Sequence, residues 1–206
     1  MAARNTFAEQ ITPAPPWHVT KWFNTQTNLT LEALRGKVVA MFAFQMLCPG
    51  CVSASIPQAK ELATIFKPDE VAMIGFHTVF EHHAAMTPES LEAFLHEYRV
   101  GFPVAVDAPG ERGSPLPKTM AAYDMQGTPP LVLIDAQSRR RLQSFGHVPG
   151  LQLGASIAWL LRERNSADTI PKEHTDPANA DVAKGVCADG ICAAKPYDTT
   201  EESPQP

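Results

Sequence analysis

Four consecutive residues, Cys48-Pro49-Gly50-Cys51, carry the clearest chemistry in this chain. Two thiols separated by two residues can close a small disulfide and open it again. The pair follows an apolar run, Val38-Val39-Ala40-Met41-Phe42-Ala43-Phe44, and opens a segment with helical spacing. A Cys-x-x-Cys at a strand-to-helix junction makes a reactive thiol. At the helix start, unpaired N–H groups and the helix dipole favour a thiolate on the first cysteine. The second lies one turn on, within reach of the first. The position points to redox chemistry.

Other residues compete for chemical roles. His77 ends an apolar run beside the motif strand; it reads first as a hydrogen-bonded structural His, with proton acceptor for Cys51 as the alternative. Glu81, His82 and His83, with His77 and His96, match no metal-ligand spacing. They read as a solvated loop, and no metal is expected. Cys187 and Cys192 flank Ala-Asp-Gly-Ile, a turn-forming spacer that permits an intramolecular disulfide. They could relay electrons to Cys48 and Cys51, bind a soft metal as a dithiolate, or form a passive pair. A coil of the length between Asn165 and Cys187 reaches about 25 Å, so contact with the motif is physically possible.

These residues need a scaffold. The 38–44 run is apolar at every position, as in a central parallel strand buried on both faces. The following helix carries Ile56, Ala59, Leu62, Ala63 and Phe66 at helical spacing, and Pro57 inside it predicts a kink. Val71 to Phe76 reads as a second strand ending at His77. Thr87-Pro88 starts a helix with Thr87 as cap, Pro88 in the first turn and an apolar face of Leu91, Phe94, Leu95 and Tyr98. Phe102 to Val106 reads as a third strand and Leu116 to Met125 as a short helix. Leu131 to Ile134 and Arg140 to Phe145 read as strands joined by a turn at Asp135–Ser138. Leu151 to Arg162 reads as a final helix. Strands alternating with helices, then a hairpin and a helix, predict an α/β sandwich.

Upstream of that core, residues 1–16 are polar and end in Pro13-Ala-Pro15-Pro16, which predicts an extended arm. Trp17 to Gly36 reads as a short hairpin, with Val19 and Trp22 in pairing positions, that leads into the first core strand. The domain is therefore placed at 17–164. Residues 165–206 contain five prolines and one aromatic, Tyr197. They cannot bury enough surface to offset their ordering entropy, which predicts a disordered tail.

The chain has 206 residues, of which 44% are hydrophobic and 19% charged, in keeping with one domain plus extensions. A net charge of −5 gives no reason to expect nucleic acid or an anionic membrane as partner. Four cysteines are too few to staple a chain of this length. No apolar stretch follows the start, and none is as long as a membrane span. The reading is a soluble, cytoplasmic protein with no cofactor.

Four features coincide in order: Cys48-Pro49-Gly50-Cys51 after a buried strand, a helix with an internal proline, Gly127-Thr128-Pro129 before a strand, and Leu131-Val-Leu-Ile-Asp135 before an outgoing hairpin. Together they resemble the thioredoxin superfamily, and within it the TlpA-like or redoxin (AhpC/TSA-related) branch. The segment Thr78 to Val100 fits the insertion of that branch. The resemblance covers roughly Trp17 to Leu161. It implies a three-layer α/β/α sandwich around a mixed sheet, with Cys48 as attacking thiol and Cys51 as resolving thiol. It also implies a cis Pro129 facing the dithiol, with Thr128 giving backbone contacts to substrate. The activity implied is thiol-disulfide exchange, with a protein or small-molecule disulfide as substrate and a thiol electron donor as partner. In a reducing compartment the pair would act as a reductase.

Several residues depart from the family pattern. Leu47 stands where relatives carry Trp, and Phe42 where thioredoxins carry a buried Asp. Ala54 replaces a Glu common in TlpA-like proteins, and Pro-Gly inverts the thioredoxin Gly-Pro. Two other readings remain open. A redoxin-type thiol peroxidase would use Cys48 on hydroperoxide, although Phe44-Gln45-Met46-Leu47 lacks the Thr and Pro of peroxiredoxins. A non-enzymatic metal-binding protein would use both thiolates as ligands.

Overall fold

The computed structural model describes residues 6–112 and 114–168, with the side chains of 6–10, 167 and 168 left aside. Seven strands form one sheet: β1 Thr6–Pro13, β2 Val19–Phe23, β3 Val38–Phe44, β4 Val71–His77, β5 Val104–Asp107, β6 Pro130–Ile134 and β7 Arg139–Phe145. Their spatial order is β1-β7-β6-β3-β4-β5-β2. The β3/β4 and β4/β5 pairs are parallel, and the other four are antiparallel. β3 lies at the centre, buried at all seven positions.

Alternation along the central strands builds two apolar layers. Val38, Ala40, Phe42 and Phe44 face one side with Val71 and Met73 of β4. Three helices cover that side: α1 Ile56–Ile65 through Ile56, Ala59 and Leu62, α2 Pro88–Glu97 through Leu91 and Leu95, and α4 Gly150–Asp168 through Leu153, Ile157 and Leu160. Val39, Met41 and Ala43 face the other side with Ile74 and Phe76. Leu31, Leu34 and the short α3 Lys118–Ala122 cover it, with Met120, Tyr123 and Met125 buried there. Fully burying such a side chain stabilises the fold by about 1.5–3 kcal/mol. The result is the α/β sandwich that the element order predicts, in the three-layer form with a mixed sheet that the family resemblance implies.

The N-terminal part differs from its sequence reading. Thr6–Pro13 is extended but is not a free arm. It pairs antiparallel with β7, whose unpaired N–H and C=O groups would otherwise form the sheet edge. Val19 and Trp22 do not close a hairpin. They lie on one strand, which pairs with β5 at the opposite edge (Trp22 with Ala105).

Other boundaries shift for local reasons. β5 begins at Val104 rather than Phe102, because Pro103 has no N–H to give the ladder. Thr87 caps α2 as predicted, accepting a hydrogen bond from the Ser90 N–H at 3.3 Å. α4 continues to Asp168, beyond the predicted end at Arg162. Pro57 lies inside a helical run that is continuous over residues 49–65, and the distortion it brings is a change of ladder rather than a break. Cys51–Ser55 forms a wide π-type turn within that run, so the ladder widens just before the residue that lacks an N–H, and α1 continues regularly from Ile56. Apart from the four residues that close α4, the tail predicted from Asn165 lies outside the described residues.

Candidate active site

The carboxyl ends of β3 and β4 meet where the sequence places the dithiol. Phe44 pairs with His77 at the last register position of the two strands. After Phe44 the chain turns through Gln45, Met46 and Leu47 to Cys48. The Cys48 N–H donates to the Gln45 carbonyl at 3.2 Å, and the Val52 N–H donates to the Cys48 carbonyl at 3.1 Å. Cys48 is half-buried and Cys51 fully buried, and both are free thiols.

The Cys51 N–H donates to Cys48 Sγ at 3.3 Å, aimed at the atom that carries charge when a thiolate forms. Cys48 Sγ lies 3.7 Å from the carbonyl oxygen of Thr128. The Thr128–Pro129 bond is cis. A Cβ on Gly50 would stand 3.6 Å from Pro129 Cδ, so the motif and this proline are in van der Waals proximity. The Pro129 carbonyl accepts the Gly146 N–H at 2.7 Å, which ties this loop to the end of β7. Cys48, Cys51, Thr128 and Pro129 thus converge from two loops separated by about eighty residues of sequence.

Burial first, and its hydrogen bond with Cys48 second, push the Cys51 thiol up to about 12, against hydrogen bonds involving the Gln45 backbone and Thr128 that act in the opposite sense. Cys51 therefore holds its proton at neutral pH.

His77 lies on the same side of the sheet as Cys51, with its ring 5.4 Å from that of Phe44. Burial pushes its imidazole down to about 4, and neither ring nitrogen has a hydrogen-bond partner among the described residues. The hydrogen-bonded structural role read from the sequence does not describe it, and the alternative, proton acceptor for Cys51, is opposed by its low basicity. The groups acting on the Cys51 thiol are Cys48, Gln45 and Thr128. An imidazole this weakly basic is also far from matching a thiol this weakly acidic. Desolvation, invisible in a count of residue types, is the physical reason.

The environments of Gln45 and Phe145 escaped the sequence reading. Gln45 is buried; besides its carbonyl bond to Cys48, its Oε1 accepts the Phe80 N–H at 3.3 Å and its Nε2 donates to Glu81 Oε1 at 3.2 Å. It ties the motif to the loop after β4. A single polar residue interrupting the run from Phe44 to Leu47 was the available signal. Phe145 is 53% exposed, and its ring lies 3.1 Å from where a Gly127 Cβ would stand; Leu47, beside Cys48, is 56% exposed. Such exposure of large apolar side chains had no local sequence signal.

Elsewhere, His82, His83 and His96 are exposed. No group of three or more His, Cys, Asp or Glu side chains is arranged to hold a metal ion among the described residues. No described helix is long and apolar enough to cross a membrane. Cys187 and Cys192 lie outside the described residues.

The sequence matches no protein-family model and no curated protein. Solved structures are similar. A crystal structure of a thioredoxin-like superfamily protein is 57% identical, covering 73% of this chain and 96% of its own, with a TM-score of 0.71. The chain belongs to the thioredoxin-like superfamily. A thiol-disulfide isomerase from Corynebacterium glutamicum is 45% identical over 72% of this chain and 96% of its own, with a TM-score of 0.68. A DsbE-type thiol:disulfide interchange protein from Chlorobium tepidum, 21% identical over 74% of this chain and 98% of its own, shares the fold with a TM-score of 0.60.

Proposed function

We propose that this thioredoxin-like protein is a thiol-disulfide oxidoreductase that works as a reductase through Cys48 and Cys51. The observation that carries this reading is the asymmetry of the dithiol: a half-buried Cys48 open to a partner, with a protonated, buried Cys51 directly behind it. The similarity to a named thiol-disulfide isomerase supports it.

In the first step, the Cys48 thiolate attacks one sulfur of a substrate disulfide. A Cys48–substrate disulfide forms and one substrate thiolate leaves. The Cys51 sulfur then attacks Cys48 Sγ, closing Cys48–Cys51 and expelling the second substrate sulfur. With His77 a poor base, that departing thiolate takes the Cys51 proton, directly or through water. The sum is one disulfide reduced to two thiols and one enzyme dithiol oxidised. A thiol donor returns the enzyme to its starting state. In this reading Thr128, whose carbonyl oxygen lies 3.7 Å from Cys48 Sγ, bonds an extended substrate chain. Exposed Leu47 and Phe145 offer apolar contact to a protein substrate. A reducing, cytoplasmic setting is the one in which this direction operates.

Insulin reduction, run beside a hydrogen-peroxide consumption assay, tests the proposal. Cys48→Ser is expected to lower disulfide reduction about a thousandfold or more. Cys51→Ala is expected to accumulate a mixed disulfide on Cys48. Peroxide consumption without insulin reduction would make the protein a thiol peroxidase instead. Replacing both Cys187 and Cys192 by Ser in the same assay decides whether that pair relays electrons: a relay requires slower recycling, and unchanged turnover excludes it.

A further inference from the structure

We infer that a cavity toward the end of the sheet opposite the dithiol binds an amphipathic anion, a carboxylate carried on an apolar chain.

The cavity has a structural cause. β5 pairs with β4 only from Gly75 to His77, because it begins after Pro103. Val71 to Ile74 therefore have β3 on one side and no strand on the other. The notch opens a cavity of about 600 Å³, within the range that holds small ligands. It is lined from both faces of the sheet: Met73 and Phe102 belong to one apolar layer, Leu34 and Ile74 to the other.

Its charge is one-sided. Lys37, Lys60 and Arg99 line it, and no acidic residue does among the described residues, although the chain as a whole carries −5. Lys37 Nζ donates to the Pro68 carbonyl at 2.9 Å and Lys60 Nζ to the Tyr98 carbonyl at 2.9 Å. Each ammonium has three donors, so both keep donors free. The Arg99 guanidinium has no partner among the described residues. An apolar interior ringed by unneutralised cations suits a ligand with an apolar body and a negative head.

Arg99 itself is unusual. α2 closes with the Val100 N–H on the Leu95 carbonyl at 2.9 Å, and Arg99 adopts φ +50° between them. This is the left-handed helix-stop position that glycine ordinarily fills. A long cation has been placed where the backbone prefers no side chain, and it stands on the cavity.

Calorimetric titration of the full chain with decanoate, octanoate and decylamine tests the inference. One decanoate is expected per chain. Octanoate, two methylenes shorter, should bind about tenfold more weakly, and decylamine should not bind. Arg99→Gly separates a binding role from a structural one: it should weaken decanoate at least tenfold while the melting temperature stays level or rises. Failure of decanoate to saturate, equal binding of decylamine, or unchanged affinity in Arg99→Gly would each overturn the site. Because the cavity and the dithiol lie toward opposite ends of β4, insulin reduction by Arg99→Gly reports independently on the redox reading.

Discussion

At the scale of single residues, two of the buried titratable groups, Cys51 and His77, are shifted by burial in opposite directions. Cys51 keeps its proton up to about 12, and His77 stays neutral down to about 4. His77 gives a direct prediction. The unfolded chain binds a proton at this imidazole near pH 6.5, the folded chain only near 4. Between these values the unfolded state holds more protons, so His77 makes stability fall as the pH is lowered from 6.5 to 4. Above 6.5 the contribution is complete. Its full size is about 3 kcal/mol at most. His77→Leu should flatten this acid limb, which urea unfolding at several pH values would show; a wild-type slope in the variant would refute the burial argument. Cys51 works at the other end. The folded chain keeps that proton while the unfolded thiol releases it from about pH 9, so its contribution falls as pH rises beyond 9. The dithiol and Thr128-Pro129 were legible in the sequence because residue type and short spacing carry their meaning. The environment of His77 was not, because the desolvation acting on it depends on packing from both β3 and the helices above it.

At the scale of elements, β3 and β4 were legible because a strand buried on both faces leaves an unbroken apolar run. α2 was legible because Thr87-Pro88 writes its start. The π-type turn at Cys51–Ser55 was not, since the stretch carries the same apolar spacing whether its turns are wide or regular. Long-range ties were also hidden. Asp107, at the end of β5, accepts the Thr119 N–H at 2.8 Å, the Met120 N–H at 3.0 Å and the Thr78 hydroxyl at 3.1 Å. It thereby joins β5, α3 and the loop after β4. Gln45 does the same for that loop and the redox motif. Replacing it by Leu removes the acceptor of the Phe80 N–H and the donor to Glu81. Gln45→Leu should cost about 1–3 kcal/mol in urea unfolding and quicken hydrogen exchange at the Phe80 amide. Unchanged stability together with unchanged exchange would mean that the side-chain amide does not anchor the loop.

At the scale of the whole molecule, the N-terminal residues do something no local pattern announces: they supply both outer strands of the sheet. β1 closes the β7 edge and β2 the β5 edge. The crossing between them is held on the α3 side of the sheet. Trp17 Nε1 donates to the Tyr123 hydroxyl at 3.1 Å, the same hydroxyl donates to the Pro15 carbonyl at 2.8 Å, and the Trp17 ring meets Phe76 at 5.4 Å. The crossing is thus anchored independently of β1. Deleting residues 1–13 should leave β2 and the Trp17 anchor in place while uncovering the β7 edge. Two effects follow from the exposed ladder. Lost pairing lowers the melting temperature by about 2–4 °C for each kcal/mol removed. Unpaired N–H and C=O groups along β7 also recruit other strands, so self-association should rise with protein concentration. Calorimetric melting and light scattering across a concentration series measure both. Arg139 and Arg141 are paired with Asp135 and Glu163, which leaves Arg140 as the β7 arginine without an acidic partner among the described residues; repulsion between copies at Arg140 opposes edge-to-edge pairing, so association of the shortened chain should strengthen as added salt screens it. A truncated protein that melts with the full chain and stays monomeric at high salt would show that β1 adds nothing to the sheet.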